Sequence, residues 1–165
     1  MSSSLETDIN SEDTNIYRFF RSDIGSHFYT ASLAERDYVS KYLPQYQYEG
    51  ASYQAIDDEN ATFTGAKPVY RFFNNSTGVH LYTMSEVEKD HIIDNLDNYS
   101  FENIAYYAYE NPKEKTIPLY RFYHTIADTH FFTPSTIERD YINGNLSWYQ
   151  EEGNEGIAFY VEPFN

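Results

Sequence analysis

The sequence predicts an all-β domain of three similar lobes, each carrying one short helix. Three observations predict it. One tetrapeptide recurs as Tyr17-Arg18-Phe19-Phe20, Tyr70-Arg71-Phe72-Phe73 and Tyr120-Arg121-Phe122-Tyr123, at offsets of 53 and 50 residues. Tyrosine and phenylalanine number 18 and 12 of 165 residues, a bias that strands favour. Apolar residues alternate with period two around each recurrence.

The elements follow in order. Residues 1–15 are polar and precede the repeats, so a flexible tail is expected there. Three lobes follow, over residues 16–67, 68–117 and 118–165. Each opens on the Tyr-Arg-Phe strand. Residues Ser22 to Gly25 and Asn74 to Gly78 read as turns. The returning strand carries a histidine nine residues after each arginine: His27, His80 and His130. Thr30, Thr83 and Thr133 come three residues later. Ser32 with Glu35, Ser85 with Glu88 and Ser135 with Glu138 have capping-box spacing, which predicts a helix start. Ala34, Tyr38, Val39 and Leu43 fall on one broad side of the first helix. A final strand covers Ala51 to Ala55, Ile104 to Ala108 and Ile157 to Val161, with Glu49, Glu102 and Glu155 just before it. Polar loops, Asp57 to Lys67 and Glu110 to Thr116, bridge the lobes, and Pro68 and Pro118 mark the next starts.

Three units are too few for an ordinary propeller, and too few and strand-rich for a capped solenoid. A closed pseudo-threefold barrel, the β-trefoil, is expected, with about four strands per lobe around one shared aromatic core. Its last strand, near Glu162, would lie beside the first, near Ile16.

Composition narrows the function. A chain of 165 residues is one domain. Cysteine is absent, which excludes a disulfide framework, a thiol nucleophile, a cysteine zinc site and an iron–sulfur cluster. The net charge of −15 argues against nucleic acid and anionic lipid, and fits a neutral or cationic ligand. No apolar run is long enough to span a bilayer, so no membrane insertion is expected. Met1 to Glu6 shows neither the basic region nor the apolar stretch of a signal peptide.

Strand alternation then selects candidate residues. If Phe19 and Phe28 face the core, Arg18, His27 and Tyr29 share the opposite face. The same holds for Arg71, His80 and Tyr82, and for Arg121, His130 and Phe132. A guanidinium and an imidazole can donate to sugar hydroxyls while a phenol stacks on a pyranose. The structural alternative pairs each arginine with an acid of its own lobe and bonds each histidine to a carbonyl. Asp37, Asp90 and Asp140 lie in the second helical turn, where no cap is needed, and are candidates to hold the arginine or to touch ligand. Catalysis is not expected: the acids come in threefold sets, whereas a glycosidase needs one pair across a cleft, and no nucleophile elbow is present. The histidines lack ligand spacing, so neither a metal nor any cofactor is expected.

The pattern Tyr-Arg-Phe, a glycine turn, His-Phe/Leu-Tyr-Thr and Ser-x-x-Glu-x-Asp spans residues 16–165. It resembles a bacterial and fungal triple-repeat family often appended to secreted cell-wall or polysaccharide hydrolases. The resemblance implies a β-trefoil and a secreted, extracellular module. Its partner would be a polysaccharide, glycan or cell-wall polymer, bound without catalysis, by a monomer or by part of a larger hydrolase. Up to three equivalent shallow sites would act together through avidity. The rival reading is a protein-binding trefoil, such as a protease inhibitor, working through Asp57 to Gly65 and Glu110 to Thr116. The third lobe departs from the pattern: Asp128 stands where Gly25 and Gly78 do, Phe132 replaces tyrosine, and three residues are inserted near Glu151 to Asn154. In the second lobe, His91 replaces the tyrosine of the other two.

Overall fold

A computed structural model of the chain describes residues 13–164. The expected tail lies outside them except for Asp13, Thr14 and Asn15, which belong to the first strand and pair with Ile56, Ala55 and Gln54. The first lobe comprises β1 (Asp13–Arg21), β2 (Ser26–Thr30), α1 (Leu33–Tyr42) and β3 (Gln47–Ile56). The second comprises β4 (Lys67–Asn74), β5 (His80–Thr83), α2 (Glu86–Asn95) and β6 (Tyr99–Ala108). The third comprises β7 (Ile117–His124), β8 (Thr129–Thr133), α3 (Thr136–Asn145) and β9 (Tyr149–Pro163). In each lobe the opening strand is central and pairs antiparallel with the other two.

Each lobe therefore has three strands and a helix, where about four strands per lobe were expected. The caps explain the diversion into helix. The hydroxyls of Ser32, Ser85 and Ser135 accept from the N–H of Glu35, Glu88 and Glu138 at 3.0–3.1 Å. The serine N–H groups donate to Thr30, Thr83 and Thr133, so these threonines finish the cap. Each helix buries one residue, Val39, Ile92 or Ile142, against its own hairpin. The broad apolar side expected of α1 is used only in part: Val39 and Leu43 pack inward, while Ala34 and Tyr38 are exposed. Four of the ten residues of that helix are charged, and Val39 with Leu43 and Tyr46 covers Phe19 and Phe28.

The lobes meet on a shared axis. Four positions from each lobe build the main core: Ile16, Val69 and Leu119; Tyr29, Tyr82 and Phe132; Tyr53, Tyr106 and Phe159; Ala55, Ala108 and Val161. The third strands touch near their ends, through Ile56 with Tyr107, Gln54 with Glu162, and Tyr109 with Tyr160. Glu162 thus pairs with Gln54 of β3, and the last strand does not pair with β1 as expected. The expected place is occupied because β3 itself lines β1, with Tyr53 opposite Ile16.

Two local features aim side chains at the lobe interfaces. Register shifts fall next to Arg18, Arg71 and Arg121 in their pairing with the third strand. Such bulges turn the neighbouring side chains. The hairpin turn needs a left-handed residue in every lobe, supplied by Gly25, Gly78 and Asp128 at φ of 66°, 80° and 54°. Aspartate tolerates that region, which explains the third lobe's departure.

Candidate functional site

Arg18, His27 and Tyr29 do share the face opposite Phe19 and Phe28, as strand alternation requires. That face is not open to a ligand. Tyr29 and Tyr82 are 1% and 2% exposed, because they form the axial core. The Tyr29 hydroxyl donates to the Phe132 carbonyl at 2.9 Å and accepts from the Phe132 N–H at 2.8 Å. The Tyr82 hydroxyl does the same to Tyr29, at 2.8 Å in both directions. With Phe132 their rings form an edge-to-face triangle. Burial pushes both phenols well above their ordinary pKa. The stacking role expected of Tyr29 and Tyr82 is thereby corrected: they are core.

The arginines brace one lobe to the next. Arg71 donates to Glu35 of the first lobe at 2.8 and 3.0 Å, and to Glu102 of its own lobe at 2.9 Å. Arg18 reaches Glu138 of the third lobe at 3.1 and 3.4 Å, and Glu49 at 2.8 Å. Each guanidinium also lies 5.1 Å from a phenylalanine of the lobe it grips, Phe28 for Arg71 and Phe131 for Arg18. His80 and His27 complete the braces, near Glu102 and Glu49. Burial opposes ionisation of Glu35, but Arg71 outweighs it and holds the carboxyl below its ordinary range. Burial, with Arg18 and His124 nearby, pushes His27 down to about 3.

The aspartates expected to hold the arginines do not. Asp37, Asp90 and Asp140 pair with their chain neighbours Arg36, Lys89 and Arg139 on the exposed helix face. Helix geometry points them outward, while the residue two positions earlier, Glu35 or its equivalent, faces the next lobe. The capping glutamates thus carry a second role. In the third lobe the residue equivalent to Glu49 and Glu102 is Glu152, not Glu155: it bonds Arg121 at 3.0 Å. Glu155 sits at φ 57° in the inserted excursion, which follows Glu152 rather than preceding it.

The third brace is looser. Arg121 approaches Glu88 of the second lobe only to 3.6 Å, beyond hydrogen-bond reach. Leu81 stands where Phe28 and Phe131 stand, and among the described residues the ring near this guanidinium is Phe132 of its own lobe, at 5.9 Å. His130 Nε2 lies 2.9 Å from Glu152 and 3.1 Å from Arg121 Nη2. That nitrogen can donate to Glu152 or accept from Arg121, not both. Arg121 is the least committed of the three arginines.

Beside it the interface opens. A cleft of about 550 Å³ runs between the second and third lobes, lined by Met84, Glu88, Asn111, Arg121, Gly153 and Tyr160 among others. The corresponding groove between the first and second lobes, with Glu35 and Arg71, holds about 210 Å³. The excursion 153–156 forms one rim. A Cβ on Gly153, at φ 87°, would stand 2.4 Å from the Ile157 carbonyl oxygen, so the rim requires glycine there.

Residues 11–162 match the model of a domain of unknown function, DUF5648. The chain belongs to this family. No curated protein and no solved structure matches it.

In this DUF5648 domain the sequence signal for the braces was a constant spacing: Glu49, Glu102 and Glu152 each follow their arginine by 31 residues. Leu81 was the signal for the open interface. Met84, Asn111 and Asn154 carry no recurring pattern that could have marked them. They become neighbours only when the lobes dock.

Proposed function

We propose that the protein is a non-catalytic carbohydrate-binding module that holds its ligand in the cleft between the second and third lobes. One site replaces three equivalent ones, because Arg18 and Arg71 are already committed to carboxylates. The observation that carries this reading is the enlarged cleft beside the loosened Arg121–Glu88 pair. A sugar diol placed between them would accept from the guanidinium and donate to the carboxylate, while Met84 and Ala158 offer surface to its C–H face. The nearby acids support binding over catalysis, since Glu152 is engaged by Arg121 and His130, and Glu110 by Lys67. The three-lobed arrangement is read as a trefoil variant with three strands and a helix per lobe, acting outside the cell on a polysaccharide, glycan or cell-wall polymer.

The test is retention on insoluble peptidoglycan, chitin and glucans. Saturable binding that is lost in Arg121→Ala and Glu88→Gln, with the folded circular dichroism signal intact, is expected. Retention unchanged by both variants, or absent on every polymer, contradicts the assignment.

A second reading rests on Phe63, which is 88% exposed on the 3₁₀ helix Glu59–Thr64 between the first two lobes. Ala61 and Ala66 anchor that loop on Ile56 and Tyr107. A fixed loop presenting one bare aromatic ring suits a protein partner. Phe63→Ser would abolish such an interaction and leave glycan retention intact.

A further inference from the structure

Resting on the carbohydrate reading, we infer that the cleft is one half of a two-part groove that takes an internal segment of a linear, uncharged polysaccharide. A second cavity of about 600 Å³ adjoins the first, lined by Lys67, Pro68, Tyr70, Glu86 and Val87. The two share Met84, Ser85, Glu110 and Ala158, so they form one run from the start of α2 to the rim at Asn154. Each half lies within the roughly 300–1,000 Å³ of an ordinary small-ligand site, so the pair exceeds what a single sugar needs. Both halves open to solvent, so neither is a closed pocket that would demand a chain end.

The lining selects the polymer. Pro68, Pro112, Met84, Val87 and Ala158 offer apolar surface along the run, and Ser85, Asn111 and Asn154 supply hydroxyl partners. That mixture suits a pyranose chain, with its C–H faces and hydroxyl edges. The two cations are neutralised in place, Lys67 by Glu110 and Arg121 by Glu152. Glu86 and Glu88 add further negative charge, and the whole chain carries −15. A polymer of uronic acids or phosphates would be repelled.

The test is calorimetric titration of the intact chain with N-acetyl-chito-oligosaccharides and cello-oligosaccharides of one, two, four and six units. Affinity is expected to rise at least tenfold from the disaccharide to the hexasaccharide in one series, and to survive reduction of the terminal sugar. Val87→Asp changes an exposed side chain in the first turn of α2, where an acid is tolerated, so the fold is kept. It should weaken the hexasaccharide several-fold and leave the disaccharide unchanged. Equal affinity for one unit and six, or loss on end reduction, overturns the groove while the carbohydrate site stands. Binding of no oligosaccharide in either series counts against both.

Discussion

The axial ring of Tyr29, Tyr82 and Phe132 makes a sharp prediction about stability. Two of its three links exist: Tyr29 holds the main chain of residue 132, and Tyr82 that of residue 29. The third link, from residue 132 to the main chain of Tyr82, is missing because Phe132 has no hydroxyl. Tyr29→Phe would orphan a buried N–H and a buried carbonyl, each costing roughly 1–3 kcal/mol, and partial relaxation brings the sum to about 2–4 kcal/mol. At about 2–4 °C per kcal/mol for a domain of this size, Tm should fall by about 5–15 °C. Phe132→Tyr runs the other way. It adds two hydrogen bonds worth about 1 kcal/mol each, less what fitting the hydroxyl costs, for a gain of about 1–2 kcal/mol. Thermal melts and urea titrations followed by circular dichroism measure both, with unchanged urea slopes confirming that only stability moved. A destabilised Phe132→Tyr together with a neutral Tyr29→Phe would refute the reasoning, because the ring would then be held by packing alone.

Arg71→Ala should cost about 2–3 kcal/mol in urea titration, since it strands Glu35 and Glu102 at a partly buried interface, whereas Arg121→Ala should cost about 1 kcal/mol because its cross-lobe partner is already distant. His27 is held neutral, with its Nδ1 buried and unpartnered among the described residues. Its pKa of about 3, against 6.5 when unfolded, means that the unfolded chain binds the extra proton between those values. Stability should therefore fall as pH drops from 6.5 toward 3, by up to about 1.4 kcal/mol per pH unit from this group, and a flat profile over that window in Glu162→Gln, which removes the opposing carboxyl, contradicts the placement of His27. Glu162 behaves oppositely: burial and the neighbouring Asp13 raise it to about 7 from 4.5, so its contribution is present in acid and lost as pH rises through 7. Glu162→Gln should raise the urea midpoint above pH 7 but not at pH 4.5. Gly153→Ala should leave the lobes folded but shift the rim, lowering glycan retention more than it lowers Tm.

The repeat, the hairpins, the helix starts and the sharing of a face by Arg18, His27 and Tyr29 were all legible in the sequence, because each depends on local spacing. The consequence of that face was not. Period-two alternation says that Phe28 and Tyr29 point opposite ways, but not that both directions are interior. Phe28 fills its own lobe's core under α1, and Tyr29 fills the axis shared by three lobes. A single lobe has one buried face, and docking three of them buries the second. The arginine partners were missed for the same reason. Each arginine spans two lobes: for Arg71 one acid, Glu102, lies in its own repeat unit and the other, Glu35, in the neighbouring one. Asp37 was the better guess within one lobe and the wrong one across lobes. The cleft was hidden further, since it follows from a defect: Leu81 in one lobe, an excursion at 153–156 in the next, and a pair left at 3.6 Å.

The cleft can be watched directly. The chain has two methionines, Met1 and Met84, and Met84 lines the part shared by both halves of the groove. Methyl-labelled methionine therefore places one NMR reporter at the proposed site and one at the chain's first residue. Titration with the glycan that retains the protein should move the Met84 methyl signal saturably and leave Met1 in place. The movement should vanish in Arg121→Ala. Saturable retention on that glycan with an unmoved Met84 signal would put the ligand elsewhere on the surface and contradict the assignment of the cleft.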